Sequence, residues 1–285
     1  MTAFDTTICE LGEGPLWHPE RQELFWFDIT GQRLFAKGSG DLRQWQLPEM
    51  HSAAAWIDTA RLLIASESGL WLFDIETGNR DGLIALEADN PITRSNDGRC
   101  DPWGGFWIGT MGKSAQPKAG AIYRYAQGEL RALFDDITIP NAICFDRTRG
   151  CAYFTDTPEG ILWRVAVDEA GWPSAPKEML ADVRTMGLNL DGAVVLADGR
   201  IAVACWGDSA VHVITPEGAF QGRFPLPAPH VTCPAMGGPN FDRLYCTSAT
   251  EGLGPDDLLA APLSGAIFEI EGAPQGLPEP AFPLI

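Results

Sequence analysis

Residues 146–154 read DRTRGCAYF, a tight polar turn followed by a short apolar and aromatic strand. The same pattern recurs as HPERQELFWFD (18–28), DTARLLIAS (58–66), DPWGGFWIG (101–109), ADGRIAVAC (197–205) and NFDRLYCTS (240–248). The first strand residues after the six turns are Leu24, Leu62, Phe106, Ala152, Ile201 and Leu244. They follow one another at intervals of 38, 44, 46, 49 and 43 residues. Such regular spacing indicates one structural unit repeated six times.

A third strand follows most of these units. The segments are GLWLFDIETG (69–78), GAIYRYAQGEL (120–130), GILWRVAVDEAG (160–171), AVHVITPEG (210–218) and GAIFEIEG (265–272). Strand–turn–strand units of about 44 residues have the size of one propeller blade. The sequence therefore predicts an all-β fold, a six-bladed β-propeller that forms a single domain over residues 1–285. A β-sandwich with accidental spacing is the alternative, and six units in phase disfavour it.

The repeat also predicts where the ring begins and closes. The first unit starts near residue 11, and the GAIFEI strand is expected to join an end blade and close the ring. Closure removes the exposed sheet edges that invite aggregation. The only helical element expected is a short turn near Asp256 to Ala261.

Composition excludes several function classes. The chain has 38 acidic and 20 basic residues in 285, a net charge of −18. A nucleic-acid binder needs a basic surface, and an anionic membrane surface would repel this chain. No apolar run reaches the length of a membrane span, and residues 1–10 lack the basic and apolar regions of a signal peptide. Seven cysteines, an odd number without a CxxC pair, favour a reduced, cytoplasmic protein with buried thiols.

Polar residues recur at one phase of the repeat. The residues 10 or 11 positions before the first strand residues are Glu13, His51, Asn96, Asn141, Asp191 and Cys233. In a propeller, these positions begin the innermost strands around the mouth of the central channel. Turn chemistry alone also favours Asn and Asp, which is the structural alternative. Two carboxylates and an amide oxygen, from Glu13, Asp191 and Asn141, would suit a divalent cation and leave coordination positions for substrate.

Several motifs in order, one per unit, resemble a known family. They are LGEGPLWHP (11–19), SNDGRCDPWGGFWIGTM (95–111), PNAICFD (140–146), LDGAVVLADGRIAVACWG (190–207) and MGGPNFDRLYCTSATEGL (236–253). The chain resembles the senescence-marker protein/gluconolactonase/regucalcin family of metal-dependent sugar-lactone lactonases. The resemblance implies one divalent metal ion (calcium, zinc, magnesium, manganese or iron(II)) held by Glu13, Asn141 and Asp191. It also implies that Arg94 and Asn96 bind substrate hydroxyls or the carbonyl oxygen.

The sequence departs from the family after the GTM segment. Some relatives carry a glutamate there that contacts substrate, whereas this chain has Lys113 and Ser114. The resemblance therefore leaves the identity of the sugar open.

The expected reaction is hydrolysis of a sugar lactone to the aldonic acid, with Asp191 as general base. Arg94 would orient the substrate, and Asn96 and His51 would bind its hydroxyl groups. A salt bridge to Asp97 or Glu13 is the alternative role of Arg94. A non-catalytic calcium-binding propeller and a hydrolase of aryl esters or phosphotriesters are the alternative functions.

Other motifs are weaker. The Gly-Lys-Ser run at 112–114 lacks the first glycine of a phosphate-binding loop, because position 107 is Trp107. No GxSxG, HExxH or EF-hand pattern occurs. Asp156 and Trp206 end their strands at the face where the innermost strands begin, so both are candidates for the rim of the site.

Overall fold

The computed structural model describes residues 2–284, and its strands form six four-stranded antiparallel sheets. Strand β1 (Thr2–Asp5) precedes the first repeat. Blade 1 contains β2 (Gly12–His18), β3 (Glu23–Asp28), β4 (Arg33–Lys37) and β5 (Arg43–Gln46). Blade 2 contains β6 (His51–Asp58), β7 (Arg61–Ser66), β8 (Gly69–Asp74) and β9 (Arg80–Ala85). Blade 3 contains β10 (Thr93–Cys100), β11 (Phe106–Gly112), β12 (Gly120–Ala126) and β13 (Glu129–Ile137).

The second half of the chain repeats this arrangement. Blade 4 contains β14 (Pro140–Asp146), β15 (Cys151–Asp156), β16 (Ile161–Ala166) and β17 (Glu178–Asp182). Blade 5 contains β18 (Asn189–Val195), β19 (Ile201–Trp206), β20 (Ala210–Ile214) and β21 (Phe220–Pro225). Blade 6 contains β22 (His230–Gly237), β23 (Arg243–Ala249) and β24 (Ile267–Ile270), and the helix α1 (Pro255–Ala260) precedes β24. Two short 3-10 helices lie at Thr157–Glu159 and Arg184–Met186.

The predicted six-bladed β-propeller is confirmed. Each repeated turn leads into the second strand of a blade. All six first strand residues after these turns are 0% exposed. The apolar clusters to which they belong lie between neighbouring blades, and one of them contains Phe25 of blade 1 and Leu62 of blade 2. The periodic apolar residues therefore bury the faces of adjacent sheets against each other, which is the main source of stability in such a fold.

Both ends of the chain contribute to blade 6. The GAIFEI strand, β24, is the third strand of this blade, as expected of a strand that joins an end blade. The fourth strand is β1, which pairs antiparallel with β24 through Thr2 and Glu269. Lys37 Nζ in blade 1 donates to Asp5 Oδ2 at 2.8 Å, so an ion pair connects the closing strand to the first blade. The sequence did not predict β1, because residues 2–5 lack the turn that precedes the other strands.

Every innermost strand carries a β-bulge near its start. The pairing with the second strand shifts between Glu13 and Leu16, His51 and Ala53, Ser95 and Gly98, Asn141 and Cys144, Leu190 and Ala193, and Val231 and Pro234. A bulge bends the strand and redirects the side chains beside it. Six equivalent bulges thus gather polar side chains at one end of the central channel.

No helix within residues 2–284 is long and apolar enough to span a membrane. All seven cysteine side chains are buried.

Candidate active site

A cavity of about 520 Å³ opens where the innermost strands begin. Five of the six residues that the sequence proposed for the site line it: Glu13, Arg94, Asn96, Asn141 and Asp191. They come from blades 1, 3, 4 and 5, so residues far apart in the sequence meet at one place. Apolar side chains such as Leu11, Met111, Ile139 and Trp206 form much of the remaining wall.

Hydrogen bonds fix the two asparagine amides. Asn96 Nδ2 donates to Asn141 Oδ1 and to the Pro140 carbonyl oxygen, both at 2.9 Å. Asn141 Nδ2 donates to Thr157 Oγ1 at 3.0 Å, and Thr157 Oγ1 donates to the Leu190 carbonyl oxygen at 2.8 Å. These contacts orient the side-chain oxygen of Asn141, Oδ1. An amide oxygen has two lone pairs, so one remains for another partner.

Two carboxylates are buried in the same cavity. Burial, together with the nearby charge of Asp97, raises the pKa of Glu13 to about 8. Burial and the charge of Glu13 raise the pKa of Asp191 well above its usual range. The nearby charge of Arg94 favours the ionised forms of both acids but does not outweigh their burial, so ionising both requires further positive charge. The pair therefore fits a divalent ion.

The amide oxygen of Asn141 completes a hard, oxygen-only donor set with Glu13 and Asp191. Within residues 2–284, no group of three or more His, Cys, Asp or Glu side chains is placed to hold a metal. A metal in this cavity would therefore depend on two carboxylates and an amide. Such a set leaves several coordination positions for water and substrate.

Arg94 is buried beside the carboxylates, with 8% of its surface exposed. Its Nη1 donates to Asn96 Oδ1 at 2.8 Å and to the Ser95 carbonyl oxygen at 2.9 Å. No ion pair to Glu13 or Asp97 appears in the described part of the chain, so the alternative role of Arg94 is not seen here. A guanidinium has five N–H donors, and these two bonds use only one of its nitrogens.

His51, the sixth proposed residue, does not reach the cavity. Its Nδ1 donates to the Glu49 carbonyl oxygen at 2.9 Å, and Arg80 Nη1 donates to its Nε2 at 3.0 Å. Burial lowers the pKa of His51 to about 4, which keeps the ring neutral. Both ring nitrogens are already bonded, and the ring stacks on Phe27. His51 is therefore not among the residues that line the cavity, because the repeat phase locates a residue and not the direction of its side chain, and its binding of substrate hydroxyls stays a prediction.

The two rim candidates behave differently. The Asp156 carboxylate accepts hydrogen bonds from the Thr138 and Ile139 amides, both at 2.9 Å, and so holds a turn. Trp206 does line the cavity. Its ring stacks on His230 with the centroids 4.0 Å apart.

Sequence reasoning missed three polar groups of the cavity: Thr157, Asn189 and Glu251. Thr157 and Glu251 follow β15 and β23, where the second strands return to the channel mouth. Lys113 lies at the equivalent place after β11 and pairs with Glu67. Residues that lie four to seven positions after each first strand residue therefore form a second repeat phase. The sequence could have been searched at this phase for further cavity residues.

Comparison with known proteins gives consistent matches over the whole chain. Residues 11–250 match the family model described as SMP-30/Gluconolactonase/LRE-like region. A Rhizobium meliloti (strain 1021) protein named "Putative sugar lactone lactonase" is 44% identical over 278 residues, which cover 96% of this chain and 94% of that protein. The 6-deoxy-6-sulfogluconolactonase of Pseudomonas putida is 32% identical over 275 residues and covers 95% of this chain and 94% of its own. The crystal structure of regucalcin from Agrobacterium tumefaciens, a calcium-binding protein, superposes with a TM-score of 0.97 at 40% identity and covers 99% of this chain and 97% of its own.

Proposed function

The chain belongs to the SMP-30/gluconolactonase/LRE-like family, and we propose that it hydrolyses a sugar lactone to the aldonic acid with the help of one divalent metal ion. The observation that carries the proposal is that Glu13, Asn141 and Asp191 all line one cavity. Two of the three are buried acids with raised pKa values, which a cation would hold in their ionised forms. Lactonases among the relatives support the same reaction class.

A divalent ion held by Glu13, Asn141 and Asp191 would act as a Lewis acid on the lactone carbonyl. Calcium is the first ion to test, because the regucalcin relative is described as calcium-binding. Zinc, magnesium, manganese and iron(II) suit the same donors and belong in the same series.

Asp191 serves as the general base in this proposal. One of its carboxylate oxygens accepts a proton from the water that attacks the lactone carbonyl carbon. The buried position keeps bulk water away from this proton transfer, since Asp191 is 6% exposed.

Arg94 and Asn96 orient the substrate. The Arg94 guanidinium donates to a substrate hydroxyl or to the lactone carbonyl oxygen, and Asn96 Oδ1 accepts from Arg94 Nη1 at 2.8 Å and holds the guanidinium in place. Because the same Asn96 amide donates to Asn141, substrate orientation and metal binding share one hydrogen-bonded unit.

The mixed wall of the cavity favours a polyhydroxylated ring. Arg94, Lys113, Asn189 and Glu251 provide polar partners in the cavity lining, and the Trp206 ring provides an apolar surface for C–H groups. A pocket for aromatic esters would be more uniformly apolar. These contrasts favour a sugar lactone over the aryl ester and phosphotriester alternatives.

The test is a pH-indicator assay of acid release over a panel of aldonolactones. The protein is stripped of metal, and each divalent ion is added back singly. We expect acid release above the spontaneous rate with at least one lactone and one metal. Release that never exceeds the spontaneous rate, combined with tight calcium binding, would instead establish the non-catalytic calcium-binding function suggested by the regucalcin relative.

A further inference from the structure

The C-terminal segment, residues 273–284, crosses the end of the channel opposite the cavity. The Ala197 amide, just after β18, donates to the Gln275 carbonyl oxygen at 2.9 Å. Trp56 Nε1, near the end of β6, donates to the Glu279 carbonyl oxygen at 2.8 Å. These partners lie at the far ends of the innermost strands, whereas the cavity lies at their starts. The segment therefore crosses the other face of the propeller, from blade 5 to blade 2.

One side chain of this segment enters the channel. Glu279 forms an ion pair with Arg99 of β10, and each side chain is 8% exposed. Arg99 Nη2 also donates to the Pro234 carbonyl oxygen of blade 6 at 3.4 Å. One void beside this pair, next to Gly14 and Cys233, measures about 10 Å³, about the space of one water molecule. A second cavity, of about 440 Å³, is lined by Arg99, Glu279 and Pro278.

Arg99 and Asp97, on the same strand, both bind the backbone of Ile143 in the next blade. Arg99 Nε donates to the Ile143 carbonyl oxygen at 3.3 Å. The Ile143 amide donates to Asp97 Oδ2 at 2.7 Å. Two charged side chains of blade 3 thus fix both hydrogen-bonding groups of one residue in blade 4.

That residue lies in the bulge that directs Asn141. The pairing of β14 with β15 shifts between Asn141 and Cys144, and Ile143 lies inside the shift. The intervening Ala142 has φ of 54°, in the left-handed region that costs an L-residue energy. Such a conformation persists only where the surroundings enforce it. The two hydrogen bonds to the backbone of Ile143 are positioned to hold Ala142 in this conformation.

We propose that Glu279 is a positioning residue for the metal site: it holds Arg99, and Arg99 together with Asp97 holds the Ile143 peptide that directs the Asn141 carbonyl oxygen. The inference rests on the proposed metal site. Without the Glu279 carboxylate, Arg99 keeps a buried charge and turns toward Asp97, which then releases the Ile143 amide. The C-terminal segment thereby completes the metal site from the opposite face of the propeller.

The test compares Mn²⁺ affinity in full-length, metal-stripped wild type and Glu279→Gln, with free Mn²⁺ measured by electron paramagnetic resonance. Glutamine keeps the shape of the side chain and removes its charge. We expect the Kd to rise about 10-fold, the lower end of the effect of losing a group that contacts a metal ligand, because Glu279 acts through Arg99 and Ile143. Glu279→Asp retains the charge and should bind Mn²⁺ more tightly than Glu279→Gln.

Asp101→Asn is the matched control. It removes the carboxylate of another buried ion pair near β10, Asp101 with Arg124 at 2.6 Å, which lies away from the channel. We expect Asp101→Asn to lower Tm while leaving the Kd for Mn²⁺ at the wild-type value. All Kd measurements are made well below the Tm of the least stable variant.

Two results would overturn the inference. One is an unchanged Kd in Glu279→Gln, and the other is an equal loss of affinity in Asp101→Asn, which would reveal general destabilisation. A wild-type protein that binds none of Mn²⁺, Ca²⁺, Zn²⁺, Mg²⁺ and Fe²⁺ would refute the proposed metal site itself, and the inference with it.

Discussion

Asn96 Nδ2 lies 2.9 Å from Asn141 Oδ1, a hydrogen bond that joins blade 3 to blade 4 at the mouth of the channel. Asn96 Oδ1 accepts a hydrogen bond from Arg94 Nη1 at 2.8 Å. One side chain thus links the residue proposed to orient substrate to a proposed metal ligand.

Asn96→Ala should therefore weaken both functions. Its bond to the charged Arg94 alone corresponds to about 1.5–3 kcal/mol, or a loss of about 10- to 100-fold in kcat/KM. The Kd of the metal should rise in the same variant, because Asn141 loses the donor that orients it. Steady-state acid release and a metal titration measure the two effects. A loss of kcat/KM without any change in metal affinity would separate the two roles and contradict the link.

Asp191 should be needed for both metal binding and proton transfer. Asp191→Ala should abolish turnover and weaken metal affinity together. Asp191→Asn keeps an oxygen ligand but cannot accept the proton, so it should retain more of the metal affinity and still lack turnover. Metal titration and acid release on both variants check this. Full activity in Asp191→Ala would refute both roles.

Arg94 should matter most for substrates that carry hydroxyl groups. Arg94→Ala should lower kcat/KM for a polyhydroxylated lactone by about 10- to 100-fold, the range for hydrogen bonds to charged groups. A simple lactone without hydroxyls should lose less, because it offers fewer partners to the guanidinium. Measuring both substrates in wild type and variant gives the ratio. Equal losses would mean that Arg94 acts on the common carbonyl oxygen.

Closure of the ring by β1 should depend on pH. Burial alone would raise the pKa of Asp5, but hydrogen bonds from Lys37 and Thr7 outweigh it, and the folded-state pKa lies below 3.8. The ion pair therefore stabilises the fold above the unfolded-state pKa near 3.8 and loses this effect as the pH falls through the lower folded-state value.

Asp5→Asn should accordingly lower stability at pH 7 by about 1 kcal/mol, since the pair is only partly buried. That corresponds to a Tm decrease of about 2 °C. The difference from wild type should shrink below pH 3.8. Asp182→Asn, which breaks a more exposed ion pair with Arg184, is the control and should leave Tm nearly unchanged. A Tm difference for Asp5→Asn that persists unchanged at low pH would show that the charge is not its cause.

The repeated turns predicted the fold well because each fixes one strand of each blade. Leu24, Phe106 and the four equivalent residues are all 0% exposed, so the local turn-and-strand pattern correctly identifies buried residues. Strand β1 escaped prediction because its pairing with β24 joins the two ends of the chain. No local pattern in residues 2–5 records that partner.

The candidate site was predictable only in part. Glu13, Asn141 and Asp191 share a repeat phase, and that phase is visible in the sequence. His51 shares it too, yet its ring bonds to Glu49 and Arg80 instead, since side-chain direction depends on tertiary contacts. The support from Glu279 was not predictable, because a contact spanning 180 residues between Arg99 and Glu279 leaves no periodic signal.

The central claim is that one metal site built from Glu13, Asn141 and Asp191 is required for hydrolysis. The most direct measurement titrates metal-stripped protein with the most effective divalent ion while recording acid release from the best lactone. The account predicts that turnover begins near zero, rises in step with bound metal and saturates at one ion per chain. Full turnover in the stripped protein, unchanged by added metal, would contradict it.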